Sequence, residues 1–235
     1  AGRRMITLDL SGHGDSGHRE AYSPRLWGED IAAAARAACG GRVTLVGHSM
    51  GGWASIVCAA SHDDLVAAVV LVDSSVRLPQ PGAEAAVRGM PERPARLYAS
   101  REEAVAAFRL LPEQPPVEEA VIRSVAEGSL ARDGDGWRWK FDPAIAQRYS
   151  DGLIRDYLVR LFCPLHLVYG SNDPIVSAQN ATEIAAMIGS PVPSTAIPGA
   201  HHHAILDHPL QVSTALLETG LLPAQAAVRG FTPPS

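Results

Sequence analysis

The sequence predicts an α/β protein with a mostly parallel, doubly wound sheet and an inserted helical cap. Strand-like and helix-like patterns alternate over the first 75 residues. The stretch Val66–Val72 is a continuous apolar run, which is typical of a central strand covered on both faces. Between residues 76 and 161 the alternation stops, and amphipathic pieces separated by prolines follow. A sheet interrupted by one long insertion accounts for all three observations.

The first half of the chain contains three predicted strands. Residues 5–10 form an apolar run that predicts a buried strand, and a loop rich in Gly and Ser follows it. Ser23 and Pro24 are typical of a helix start, and Gly40 follows the helix that they begin. Residues 43–46 predict the second strand, and Val66–Val72 the third. We expect helices over residues 25–39 and 50–60.

We expect the chain to divide into a sheet domain, an inserted cap and a tail. The sheet domain comprises residues 1–75 and 162–222, the cap residues 76–161 and the tail residues 223–235. In the second part of the sheet domain, strands are predicted at residues 165–169 and 195–197. Helices are predicted at residues 177–188 and 204–219.

The stretch from Val43 to Gly52 contains the clearest chemical motif. It reads Val-Thr-Leu-Val-Gly-His-Ser-Met-Gly-Gly, so a G-x-S-x-G pattern lies between a predicted strand and a predicted helix. So tight a turn needs small residues two positions before and two positions after the serine. The pattern predicts Ser49 as an exposed nucleophile. The Met50 backbone N–H would face the reacting oxygen at the positive end of the helix.

A serine nucleophile needs a base and a carboxylate that orients the base. Reactive groups of an open parallel sheet cluster at the carboxyl ends of its strands. Asp173 follows the strand at residues 165–169 and is the preferred acid, while Asp73 follows Val66–Val72 and is its rival. Candidate bases lie in the run of three histidines after the last strand, which includes His201 and His202.

Other histidines and a metal site are less favoured. His48 adjoins Ser49, but its side chain should point away from the serine hydroxyl, which argues against it as the base. We expect it among the residues of the substrate pocket. Adjacent histidines lack the i, i+4 spacing of a helical zinc site, so we expect no metal.

Composition excludes several classes of partner. The net charge is −5 with no basic cluster, which argues against nucleic-acid binding, and no apolar run is long enough to span a membrane. Three scattered cysteines predict reduced thiols and a cytoplasmic location, with a signal peptide before Ala1 left open. We expect a small-molecule substrate, and the sequence leaves the oligomeric state undecided.

These motifs together resemble the α/β-hydrolase fold family, and in particular its lidded serine esterases. The matching blocks are Asp-Leu-Ser-Gly-His-Gly-Asp-Ser at residues 9–16, the Ser49 motif, Gly-Ser-Asn-Asp at 170–173 and Pro-Gly-Ala-His-His at 198–202. In the family an acidic residue follows the catalytic histidine by five positions and a proline by seven. Asp207 and Pro209 satisfy this spacing from His202, so the resemblance favours His202, with His201 as the alternative.

The resemblance also implies a departure at the start of the chain. The family has three strands and a helix before the strand predicted at residues 5–10, and a His-Gly loop there supplies a second oxyanion donor. The chain lacks both, so we expect a truncated fold. Either it is a fragment, or residues 5–10 pair directly with residues 43–46. Losing one oxyanion donor costs about 10²–10³ in turnover.

The expected function is hydrolysis of a small or medium apolar carboxylic ester through an acyl-enzyme, without a cofactor. Aromatic side chains of the cap would wall an apolar pocket, although packing within the cap would explain them equally well. They are Phe108, Trp137, Trp139 and Phe141. Alternatives with the same residues are C–C bond hydrolysis, lactone hydrolysis and cofactor-free perhydrolysis. An alternative of another class is a non-catalytic binding protein or inactive fragment.

Overall fold

The computed structural model describes residues 3–76, 96–115, 117–145 and 154–223. In this part of the chain two sheets occur. The strands, in chain order, are β1 (Val43–His48), β2 (Val66–Val72), β3 (Leu130–Asp133), β4 (Gly136–Trp139), β5 (Leu165–Gly170) and β6 (Ser194–Ile197). The main sheet is parallel with the order β1-β2-β5-β6, while β3 and β4 form an antiparallel pair. The predicted parallel, doubly wound architecture is confirmed.

The helices predicted over residues 25–39, 50–60 and 177–188 are present with nearly the same bounds. In the described chain the helices are α1 (Pro24–Ala38), α2 (Met50–Ser61), α3 (Arg101–Ala106), α4 (Glu119–Gly128), α5 (Ile154–Leu158), α6 (Ala178–Ile188), α7 (Ala204–Asp207) and α8 (Pro209–Glu218). The Ser23 hydroxyl caps α1 by accepting from the Leu26 N–H. The helix predicted over residues 204–219 is divided into α7 and α8, because Pro209 lacks the N–H that would continue α7.

The central strand β2 is buried on both faces, as its unbroken apolar sequence predicts. Leu71 packs in a core cluster with Ile56 of α2 and Ile184 of α6. Val70 and Val72 point to the opposite face, where they pack with Val212 of α8 and its neighbours. Because side chains on both faces of β2 are buried, its register in the sheet is fixed. The residues that follow its carboxyl end are therefore held in a defined position.

The insertion is less purely helical than predicted. After α3 and α4, the chain forms the β3–β4 hairpin, which turns at Gly134 with φ of +55°. The alternation of Trp137 and Trp139 with Arg138 and Lys140 has the period of a strand, and the Gly-Asp-Gly segment before it is a hairpin signal. The prediction of an entirely helical cap is therefore wrong at residues 130–139.

Helix α5 belongs to the main core, although the predicted boundary places it in the cap. Leu158 is fully buried in the same cluster as Ile56 and Leu71. Helix α5 thus packs on the main core, and the cap boundary at residue 161 stays a prediction.

The strand predicted at residues 5–10 is absent, and these residues pair with no strand in the described chain. The direct pairing with residues 43–46 is therefore wrong. Met5 is 82% exposed and Ile6 48% exposed, so the start of this apolar run is not buried, whereas Leu10 at its end packs against the core cluster that contains Trp27. A strand forms only when a partner accepts its backbone hydrogen bonds.

The three cysteines are free, and burial raises the pKa of the Cys58 thiol to about 12. Within the described residues, none of the helices combines the length and the apolar composition that crossing a bilayer requires.

Candidate active site

Ser49 lies at a strained turn between β1 and α2, with φ of +48° and ψ of −119°. Few residues other than glycine adopt a positive φ. The Ser49 N–H donates to the Val72 carbonyl (2.9 Å), and the Ser74 hydroxyl donates to the Ser49 carbonyl (2.7 Å). The end of β2 thus holds the strained residue. Met50 is the first residue of α2, so its N–H has no partner within the helix and is available to an oxyanion.

Crowding at this turn involves Gly47 more than Gly51. A Cβ on Gly47 would lie 2.5 Å from the Gly51 carbonyl oxygen, whereas a Cβ on Gly51 would meet nothing within 4 Å. The motif places a small residue on both sides of the serine. Here the first glycine is required because the backbone of the second passes directly over it.

We expect Gly47→Ala to lower the free energy of unfolding by about 1–3 kcal/mol, because backbone must move to admit the methyl group. Gly51→Ala is the matched control. It should leave stability unchanged or raise it slightly, since alanine favours a helix over glycine. Urea unfolding of the two variants measures the difference. Equal losses would contradict the crowding at Gly47.

The structure brings Ser49, His202 and Asp173 together in hydrogen-bonding order. His202 Nε2 lies 3.0 Å from Ser49 Oγ, and His202 Nδ1 lies 3.0 Å from Asp173 Oδ2. The side chains of His202 and Asp173 are 4% and 0% exposed. Burial alone would raise the pKa of Asp173, but hydrogen bonds from His202 and the Ile175 N–H outweigh it and lower the pKa below its usual range. Asp173 is therefore an ionised carboxylate facing the imidazole.

Asp73, the rival acid, is fully buried close by but uses its oxygens differently. Oδ1 accepts from the Gly170 N–H (2.7 Å) and Oδ2 from the Ala204 N–H (3.3 Å). It therefore connects the end of β5, three residues before Asp173, to the first residue of α7, two residues after His202. Burial raises the pKa of Asp73 to about 7, and the charge of Asp173 contributes to this rise.

The raised pKa of Asp73 predicts a pH-dependent stability. The folded protein keeps the Asp73 proton up to about pH 7, whereas the unfolded chain loses it near pH 4, so this stabilisation is lost as pH rises through that window. We expect the stability of wild type relative to Asp73→Asn to fall by on the order of 2–3 kcal/mol between pH 5 and pH 8. Urea unfolding across this range measures it.

The control for this experiment is Asp64→Asn. Hydrogen bonding to Arg36 lowers the pKa of Asp64, so Asp64 is ionised in both the folded and the unfolded state above pH 5. The stability difference between wild type and Asp64→Asn should stay flat. A flat difference for Asp73→Asn as well would show that the buried carboxyl does not hold its proton.

His201, the alternative base, faces a different carboxylate. Its ring Nδ1 lies 3.3 Å from Asp207 Oδ2, and its backbone N–H donates to the same oxygen at 3.0 Å. Asp207 is the acidic residue that the family spacing indicates. Its contacts with His201 hold the loop after β6. The His201 ring thus contacts Asp207, while the His202 ring contacts the Ser49 hydroxyl.

His48, predicted to line the substrate pocket, contacts the backbone beside His202. Its Nε2 lies 2.7 Å from the His202 carbonyl oxygen. Burial lowers the pKa of His48 to about 4, so the ring is neutral near pH 7.

Gln114 lies near the same loop, although no sequence motif marks it as a site residue. Its Oε1 accepts a hydrogen bond from the His203 N–H at 2.9 Å.

The aromatic side chains predicted to wall the pocket make contacts among themselves and with other parts of the chain. The rings of Trp139 and Phe108 lie 5.6 Å apart at an angle of 55°, and the Trp139 indole N–H donates to the Tyr98 hydroxyl at 3.2 Å. Trp137 packs in the same cluster, while Phe141 is 45% exposed and lies edge-on to His13. Their role at a substrate pocket stays a prediction.

Within the described ranges, no group of three or more His, Cys, Asp or Glu side chains is arranged to hold an ion. An oriented imidazole that contacts a serine hydroxyl can remove its proton and return it to a leaving group.

Comparison with known proteins agrees with this fold. An esterase of Mycobacterium tuberculosis, Rv0045c, is 31% identical over 78% of the chain and 63% of its own length. The sn-1-specific diacylglycerol lipase ABHD11 of Xenopus laevis is 26% identical over 78% of the chain and 60% of its length. The chain thus spans somewhat over half of the length of these relatives.

Solved structures give the same result. The crystal structure of E-2-(acetamidomethylene)succinate hydrolase superimposes with a TM-score of 0.74, at 26% identity, over 89% of this chain and 78% of that one. A structure of the M. tuberculosis esterase gives a TM-score of 0.73 at 27% identity, over 91% of this chain and 74% of that one. The model of the alpha/beta hydrolase family matches residues 1–215. The chain therefore belongs to the alpha/beta hydrolase family.

Proposed function

We propose that the protein is a serine hydrolase that cleaves small or medium apolar carboxylic esters through an acyl-enzyme. The observation that supports this most is the pair of 3.0 Å contacts that join Ser49 to His202 and His202 to Asp173. These residues occur in the chain order nucleophile, acid, base that is typical of the family. The esterase relative and the lipase relative support ester hydrolysis as the reaction class.

In the proposed mechanism Ser49 Oγ attacks the ester carbonyl carbon while His202 Nε2 takes its proton. The Met50 N–H donates to the oxyanion of the tetrahedral intermediate, and the dipole of α2 favours the same charge. His202 then gives the proton to the departing alcohol, and the acyl group stays on Ser49. Water, deprotonated by His202, releases the acid and restores the serine.

Asp173 has a separate task in this mechanism. It accepts a hydrogen bond from His202 Nδ1, which leaves Nε2 free to act as the base. Its buried negative charge also stabilises the imidazolium that forms in each transition state. The lowered pKa of Asp173 keeps this charge in place over the neutral pH range.

An ester series tests the proposal. Purified protein is incubated with p-nitrophenyl acetate, butyrate and octanoate, and early p-nitrophenol release is followed by stopped flow. We expect turnover of at least the acetate, with a burst if deacylation is the slower step. Turnover that persists in Ser49→Ala, or no turnover by a folded wild-type protein, would contradict the proposal.

A further inference from the structure

The peptide bond between His202 and His203 is held by two side chains from other parts of the chain. The His202 carbonyl lies 2.7 Å from Nε2 of His48, and the His203 N–H donates to Oε1 of Gln114 at 2.9 Å. Both polar groups of one peptide unit are thus hydrogen-bonded to side chains. His48 ends β1 beside Ser49, whereas Gln114 lies between α3 and α4, in the segment predicted as the cap.

The protonation state of His48 fits this contact. Burial lowers its pKa to about 4, and the rings of His202 and His203 lie at 5.3 and 5.4 Å, so a second positive charge would be unfavourable. A neutral imidazole with its proton on Nε2 donates to a carbonyl oxygen, and we assign that tautomer from the contact. His48 therefore acts as a hydrogen-bond donor to the backbone.

The loop that holds His202 has little regular structure of its own. It joins β6 to α7, and α7 itself is only four residues long. Yet the ring must keep Ser49 Oγ and Asp173 Oδ2 both at 3.0 Å, and the Ala204 N–H contributes one further external contact, to Asp73. A misplacement of about 1 Å at a catalytic group costs roughly 10² in rate. Side chains that hold the adjoining peptide bond therefore affect the rate.

We propose that Gln114 and His48 are positioning residues, which hold the His202–His203 peptide bond from two sides and so keep the catalytic imidazole between Ser49 and Asp173. This inference rests on the proposed function. It also assigns a task to the segment between α3 and α4, because Gln114 connects that segment to the catalytic base. The carbonyl–His48 contact alone would hold the peptide unit from one side, and the Gln114 contact adds a partner for its N–H.

Two substitutions of Gln114 separate hydrogen bonding from packing. Gln114→Leu has similar volume but no acceptor, so we expect kcat for p-nitrophenyl acetate to fall about 10- to 100-fold with KM within about twofold of wild type. Gln114→Glu keeps an acceptor oxygen and should recover kcat to within about fivefold. A side chain that only packs would predict the opposite, because leucine fills the space without adding charge. Gln211→Leu, at an exposed position of α8, is the matched control and should equal wild type.

His48 provides the second, independent arm of the test. In His48→Gln the amide nitrogen approximates the position of Nε2 and keeps a donor, whereas His48→Leu removes it. We expect His48→Gln to retain most of kcat and His48→Leu to lose about as much as Gln114→Leu. In the double variant Gln114→Leu/His48→Leu the loss should be smaller than the product of the single losses, because both act on one peptide bond. Thermal unfolding identifies any variant that does not fold.

The outcomes distinguish this inference from the proposed function. If wild type turns over the ester and both leucine variants do so equally well, the inference is wrong and the proposed function stands. If kcat falls as far in Gln114→Glu as in Gln114→Leu, loss of the acceptor oxygen is not what lowers kcat, and the inference is wrong as well. If wild type is inactive and its Ser49 does not react with a fluorophosphonate, the proposed function itself fails. If Gln114→Leu does not fold, the His48 pair decides the question.

Discussion

Ser49→Ala should lower kcat for p-nitrophenyl acetate by about 10⁶-fold, the scale on which removing a nucleophilic serine acts. The loss follows from the mechanism, because no acyl-enzyme forms without Ser49 Oγ. The strained turn should persist, since it is held by backbone groups of Ser49 and by Ser74, which the substitution leaves in place. Steady-state assays with stopped-flow detection of the burst measure the effect.

The control for this prediction is Ser213→Ala. Ser213 lies exposed on α8, where its hydroxyl donates to the Pro209 carbonyl. It should have wild-type activity. Residual turnover above about 1% of wild type in Ser49→Ala, with the protein folded, would mean that another group performs the chemistry.

Asp173→Asn should lower kcat by about 10⁴-fold, as expected when an amide replaces the carboxylate that orients a catalytic imidazole. The asparagine can donate to His202 Nδ1, which favours the wrong tautomer and moves the proton to Nε2. The variant also loses the charge that stabilises the imidazolium. Assays of kcat and KM from pH 5 to pH 9 measure the loss, which we expect mainly in kcat.

The comparison with Asp73→Asn decides between the two candidate acids. Asp73 accepts hydrogen bonds from the backbone at Gly170 and Ala204, whereas the two ring nitrogens of His202 contact Asp173 and Ser49. Asparagine tolerates the positive φ of +45° found at this position. We therefore expect Asp73→Asn to lower kcat far less than Asp173→Asn. The reverse order, with activity retained in Asp173→Asn, would make Asp73 the catalytic acid.

Much of the fold and site is predictable because it depends on local patterns and their order. The unbroken apolar run of Val66–Val72 predicts burial on both faces, and β2 is buried in that way. The glycines around Ser49 predict a tight turn from strand to helix, and Ser49 has the positive φ of such a turn. Asp173 and His202 follow the carboxyl ends of β5 and β6, which a parallel sheet brings to one edge.

Other features depend on partners that are distant in sequence. Residues 5–10 have the composition of a strand, but composition does not supply the neighbour with which a strand must pair. Gln114 is an ordinary polar residue between prolines, and its contact with His203 spans 89 positions. His48 adjoins Ser49 in sequence, yet its partner is the carbonyl of His202, 154 positions away. Contacts of this kind arise only when the loops are packed.

Covalent labelling tests the central claim most directly, because it reports the nucleophilicity of Ser49 without a choice of substrate. Wild-type protein is treated with a fluorophosphonate probe, digested, and mapped by mass spectrometry. We predict one adduct, on Ser49, that is absent in Ser49→Ala and forms much more slowly in His202→Ala. A folded wild-type protein whose Ser49 stays unlabelled, or whose adduct lies on another serine, would contradict the account.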